Sequence, residues 1–174
     1  MGGSYEYYSS QARLIGAAGV MLRDGHGRIL LLKPTYKRVW HLPGGIMEPN
    51  ESPREAACRE VHEETSLEVT VGLLLAVDFK TCTADRPAGI QFVFDGGALS
   101  AEQTGRISIA AEEVSEFGFF PASEAVTLVG PGGPSARMVN ALKALENMTT
   151  VYLEDGEPAR PSDAHGGQPG HFVA

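Results

Sequence analysis

"GIMEPNESPREAACREVHEETSL", Gly45 to Leu67, decides how the rest of the chain is read. Ser52 is a good helix N-cap, Pro53 fits the first helical position, and Glu55, three residues after Ser52, completes a capping box. A helix is therefore predicted to start at Pro53. At about 3.6 residues per turn, Glu60, Glu63 and Glu64 share one face, while Ala57, Cys58 and Val61 turn toward the core. Arg59 is four residues from both Glu55 and Glu63 and can pair with either, worth ~0.2–0.5 kcal/mol per exposed pair. Glu60 and Glu64 are like charges at i and i+4, a spacing that costs about what a good pair contributes. Two readings stand: water solvates this face, or a divalent cation sits on it. All-oxygen ligands would select Mg²⁺ or Mn²⁺, whereas zinc prefers His and Cys.

Outward from the helix, apolar runs alternate with turn signals. "LIGAAGVMLR" and "RILLLKP" flank "DGHG" and read as two strands joined by a turn. "VWHLPGG" reads as a short extended piece. "LEVTVGLLLAVDFK", Leu67 to Lys80, reads as a strand bent at Gly72. "GIQFVFDGG" and "EVSEFGFFP" are further strands. "PSARMVNALKALENM" places Met138, Leu142 and Leu145 at helical spacing, and "PASEAVTLV" suggests a shorter helix. "GPGGPS", Gly130 to Ser135, either carries specificity or simply connects two helices. Strands mixed with good helices imply a sheet covered by helices, an α/β (α+β) domain over residues 1–153. From Glu154 the chain is dense in Gly, Pro and Asp, so 154–174 is expected to be a disordered tail, with His165 and His171 solvated.

The bulk numbers narrow the classes. With 174 residues, 43% hydrophobic and 21% charged, the chain suits one globular domain. No apolar run approaches the roughly 20 residues that span a bilayer, and the first residues lack a signal-peptide core. Two cysteines, Cys58 and Cys82, make a disulfide framework unexpected and fit a reducing cytoplasm. Fourteen basic against 22 acidic residues, a formal charge of -8, argue against a broad nucleic-acid face. An acidic protein binds a phosphate compound only if a cation or a few placed bases reverse the sign locally.

The quoted segment resembles the Nudix box: Gly, five residues, Glu, seven residues, Arg-Glu-apolar, one residue, Glu-Glu, one residue, Gly, apolar. Gly45, Glu51, Arg59, Glu60, Val61, Glu63, Glu64 and Leu67 match, and Ser66 stands where the pattern has glycine. That glycine follows a helix where left-handed backbone is common, so serine there would cost roughly 1–2 kcal/mol. The resemblance implies a Nudix-like α/β/α sandwich around a central mixed sheet. It implies a hydrolase that cleaves the pyrophosphate linkage of a nucleoside diphosphate-X compound, with homodimers common among similar proteins. It also implies Glu60, Glu63, Glu64 and the Gly45 carbonyl as ligands of Mg²⁺ or Mn²⁺, with Glu51 and Arg59 bracing the loop. Glu63 or Glu64 would be the general base, with a distal glutamate, Glu112 or Glu113, as rival ligand or base. Lys33, Lys37 and Arg38 would meet phosphate or be ordinary solvated bases. Trp40 would stack on a base or pack in a strand, and His41 would bond substrate or be structural. The alternatives are a catalytically silent nucleotide-binding module on the same fold, and an isomerase, for which Cys58 and Cys82 lack a matching motif.

Overall fold

Apolar runs with few breaks build one mixed sheet with helices on both faces. The fold comes from a computed structural model that describes residues 13–159 together with Tyr7 and Gln11. The strands are β1 (Ile15–Arg23), β2 (Ile29–Pro34), β3 (Gly44–Ile46), β4 (Leu74–Lys80), β5 (Gly89–Ala98), β6 (Val114–Phe120), β7 (Val151–Glu154) and β8 (Glu157–Pro158). From residue 13 to 159 the helices are α1 (Pro53–Thr65), α2 (Ala101–Gly105), α3 (Ala122–Leu128) and α4 (Gly133–Glu146). The strand order is β6-β2-β1-β5-β4-β7-β8, with β3 paired to β1. The β1–β5 and β4–β7 pairs are parallel and the others antiparallel.

Covering both faces explains why β1 and β2 are apolar throughout rather than alternating. Val20, Leu22, Leu30 and Leu32 pack against Ala56, Ala57 and Val61 of α1. Met21, Ile29 and Leu31 point the other way, into a second core with Met138, Ala141 and Ala144 of α4. In the β1–β2 turn, Asp24 accepts hydrogen bonds from the His26 and Arg28 amides, and Gly27 takes φ +76°.

Helix α1 starts where predicted, with both halves of its capping box formed. It ends at Ser66 with φ 58° and ψ 18°, the left-handed conformation a glycine would accept freely. The serine is held there by its amide, which donates to the His62 carbonyl at 2.8 Å, and by its hydroxyl, which donates to the Ser108 carbonyl at 3.3 Å.

Two expectations change. The Leu67–Lys80 run is a strand only from Leu74. Its first half lies along α1, where Leu67 and Val71 are buried and the Arg54 guanidinium takes the Val71 and Gly72 carbonyls. Packing on a helix there replaces pairing in the sheet. Glu154 to Pro158 are ordered and not part of a tail, because β7 and β8 form a hairpin whose turn contains Asp155 and Gly156, the latter at φ +91°. Residues 160–174, with His165 and His171, lie outside the described residues. Helix α2, capped by Ser100 and Gln103, had no periodicity long enough to be read. In "GPGGPS", Gly130 to Gly132 belong to the link between α3 and α4, with Gly130 and Gly132 at positive φ, and Gly133 to Ser135 open α4.

Candidate active site

The acidic face of α1 lies against β3, and contact there is tight. At Gly45 an added Cβ would fall 2.5 Å from the Glu60 carboxylate, and at Gly44, φ +144°, it would strike the backbone of Ala18. Glycine is thus required at Gly44, and a side chain at Gly45 would displace the Glu60 carboxylate from its place against the strand. The Gly44 amide donates to Glu64 Oε2 at 2.8 Å.

Arg59 organises the rest. Its Nε and Nη2 clasp both oxygens of Glu51 at 2.8 and 2.9 Å, Nη1 reaches Glu60 and Glu63 at 3.0 and 2.8 Å, and Nη2 also donates to the Ile46 carbonyl. A planar guanidinium suits this many oxygens. Glu55 is not among its partners, because the capping box holds that side chain.

The glutamates differ in environment. The Glu64 side chain is 7% exposed and that of Glu63 is 52%. Burial, followed by the charges of Glu60, Glu113 and Glu63, pushes the Glu64 carboxyl up to about 8 against the one opposing bond from Gly44. Burial also raises Glu60, although Arg59 opposes it. Glu51, by contrast, is held down to about 2 by its hydrogen bonds with Arg59. The site therefore carries more negative charge than its own base compensates. Among the described residues, no three carboxylate or imidazole side chains converge closely enough to enclose an ion. Arg59 bridges Glu60 and Glu63 instead. The donor set, hard oxygens in anionic excess beside an open glycine backbone, nevertheless fits a hard dication.

The other sequence candidates scatter. Glu113 lies near enough for its charge to raise both Glu60 and Glu64. Glu112 is tied in through its carbonyl, which accepts from Thr35 Oγ1 at 3.1 Å. Lys33 pairs with Glu116 at 3.3 Å and sits 5.6 Å from the Trp40 ring. Arg38 does not line the cavity described next. Lys37, Trp40 and His41 do. His41 Nδ1 is 2.8 Å from the Leu42 carbonyl, which leaves Nε2 facing Glu64 at 4.0 Å, and burial lowers its pKa. Trp40 also packs edge-on against Phe120.

That cavity, about 380 Å³, opens beside Gly44 and Gly45 and runs between the sheet and α4. It suits a small-molecule ligand. Gln91 and Val93 of β5 and Arg137 and Met138 of α4 form its walls. None of these was singled out as a site residue from the sequence. One signal was present: Asp78 is a lone acid in the apolar "LLLAVDFK", and in the structure it is fully buried and bonded to Arg137 at 2.5 Å.

A family model described as the NUDIX domain matches residues 13–141. The chain belongs to the NUDIX family. A MutT-like protein of Streptomyces ambofaciens is 34% identical over 105 residues, 59% of this chain and 67% of that one. Diphosphoinositol polyphosphate phosphohydrolase 3-alpha of Mus musculus is 45% identical over 49 residues, only 28% of this chain and 30% of that one. Two solved structures share the fold. The MutT protein from Methanosarcina mazei Go1 has TM-score 0.63 at 23% identity, covering 79% of this chain and 97% of that one. A UDP-X diphosphatase has TM-score 0.64 at 21% identity, covering 86% and 74%. The NUDIX chain described here is a pyrophosphohydrolase of the Nudix type, and divalent-metal binding is typical of its family. The β7–β8 hairpin lies beyond the matched residues.

Proposed function

We propose that the protein hydrolyses the pyrophosphate linkage of a nucleoside diphosphate-X compound by water attack at phosphorus. The observation that carries this is the buried Glu64 and the half-buried Glu60, with too little positive charge around them, set against the glycines that line a ligand-sized cavity. Glu60, Glu63, Glu64 and the Gly45 carbonyl would hold Mg²⁺ or Mn²⁺. When bound, the dication supplies charge neutralisation for the diphosphate and acidifies water.

The chain's own residues do the remaining work. Glu63, the exposed carboxylate, would accept the proton of the attacking water, with Glu64 and Glu113 as the rival bases. Arg59 is a positioning residue that fixes Glu60 and Glu63 relative to the Glu51 loop. Lys37 at the cavity rim offers a cation to a phosphate oxygen. The cavity holds the nucleoside or X, and Trp40 forms an aromatic wall. A UDP-X diphosphatase and an ADP-ribose pyrophosphatase share this fold, which makes sugar-linked diphosphates natural members of a test panel.

The experiment is a screen of nucleoside triphosphates, nucleotide sugars, dinucleotides and ADP-ribose with Mg²⁺, Mn²⁺ or EDTA. Hydrolysis should require the metal, and Glu63→Gln or Glu64→Gln should lower it at least ~100-fold. Equal turnover in EDTA refutes the metal-dependent reading. Nucleotide binding without turnover points to a silent binding module.

A further inference from the structure

The cavity wall holds two polar side chains, Arg137 and Gln91, with hydrogen-bonding capacity that the fold leaves unused. Arg137 Nη1 donates to Asp78 Oδ2 at 2.5 Å. Asp78 is in turn fixed by the Gly156 amide at 2.9 Å and neighboured by Lys80 at 3.7 Å. The guanidinium is thereby anchored through one nitrogen. Its Nε and Nη2 make no hydrogen bond among the described residues, yet no buried side-chain nitrogen or oxygen there lacks a partner, so these donors are open to the cavity. Gln91 sits next to Asp78 in the β4–β5 register and lines the same cavity, and its amide also makes no hydrogen bond among the described residues. Around these groups the walls are Val39, Trp40, Val129 and Met138, suited to a flat ring.

The chemistry of this pair is asymmetric. Arg137 offers donors only, whereas Gln91 offers both a donor and an acceptor. A ring edge carrying a carbonyl beside a ring N–H satisfies both residues. An exocyclic amine in the carbonyl's place sets donor against donor and leaves a desolvated guanidinium unpaired. We propose that Arg137, held by Asp78, and Gln91 together read the nucleobase, and that they select an oxo-substituted ring over an amino-substituted one. The inference rests on the cavity being the nucleoside site of the hydrolase proposed above. Asp78 is a positioning residue here, and Arg137 and Gln91 touch the substrate.

Inosine and adenosine nucleotides test this, since the bases differ only along that edge, a carbonyl beside a ring N–H against an amine beside a bare ring nitrogen. Trp40 is the chain's single tryptophan and lines the cavity, so quenching of its fluorescence reads binding of the two monophosphates without turnover. The inosine compound should bind about tenfold or more tighter, and Arg137→Lys or Gln91→Met should each bring the ratio within about threefold. Arg137→Lys keeps a cation for Asp78, and Gln91→Met leaves the ion network untouched, so one folded variant suffices. A wild-type ratio near one, a preference for adenosine, or a ratio unchanged in both variants overturns the proposal. Inosine and adenosine triphosphates are assayed for hydrolysis in parallel. Base preference in binding without hydrolysis of any compound in the screen above overturns only the hydrolase reading. Hydrolysis of both at equal efficiency with no binding preference overturns only the base reading. Neither binding nor hydrolysis overturns both.

Discussion

Removing the charge of Glu64 should make the metal-free protein more stable, by an amount that depends on pH. A carboxyl raised from 4.5 to about 8 by burial corresponds to roughly 4–5 kcal/mol of penalty on the ionised form. The sign follows from proton binding. Between those two values the folded state holds a proton that the unfolded state has released, so stability falls as pH rises. The penalty is absent below about 4.5 and complete above about 8. Glu64→Gln keeps a carbonyl oxygen for the Gly44 amide and cannot ionise. In EDTA, urea unfolding should therefore find the variant equal to or slightly less stable than the wild type at pH 4.5. By pH 8.5 it should be more stable by about 2–4 kcal/mol, the lower figure allowing for relaxation and water entry. Adding Mg²⁺ should reverse the order at pH 8.5, because a dication stabilises the ionised wild type by mass action and finds one ligand fewer in the variant. A stability difference that stays flat from pH 4.5 to 8.5 in EDTA would refute the claim that Glu64 is buried without a sufficient counter-charge.

Other perturbations probe separate parts of the molecule. Ser66→Gly should raise stability by about 1 kcal/mol in urea unfolding, since glycine adopts φ 58° without the serine's steric penalty. Asp78→Leu should lower stability by about 3–5 kcal/mol, because it leaves the guanidinium of Arg137 and the ammonium of Lys80 without their buried anion. A loss below about 1 kcal/mol would mean that water already compensates those charges. Asp155, held down to about 2 by hydrogen bonds with Thr81 and Lys80, contributes stability present above its ordinary 3.8 and lost as pH falls toward 2. Amide protection factors in the β7–β8 hairpin, taken relative to the intrinsic rate at each pH, should therefore fall over that interval, and Asp155→Asn should remove the dependence.

The helix Pro53–Thr65, its capping box and the face shared by Glu60, Glu63 and Glu64 were all legible in the sequence, because each depends on residues a few positions apart. The strands around "DGHG" were legible for the same reason. Even the left-handed turn at Ser66 could be expected, since a helix end constrains the residue after it. What the sequence left open concerned groups distant along the chain. Leu67–Leu73 carries strand-forming residues, yet burial of Leu67 and Val71 against α1 outweighed that propensity. Glu112 and Glu113 are adjacent and chemically alike, and only the fold sets Glu113 close enough to act on Glu60 and Glu64. Asp78, Gln91 and Arg137 come from two strands and a helix. Short-range order follows from backbone stereochemistry and hydrogen bonding among near neighbours. A cavity wall exists only after the sheet has stacked those segments side by side.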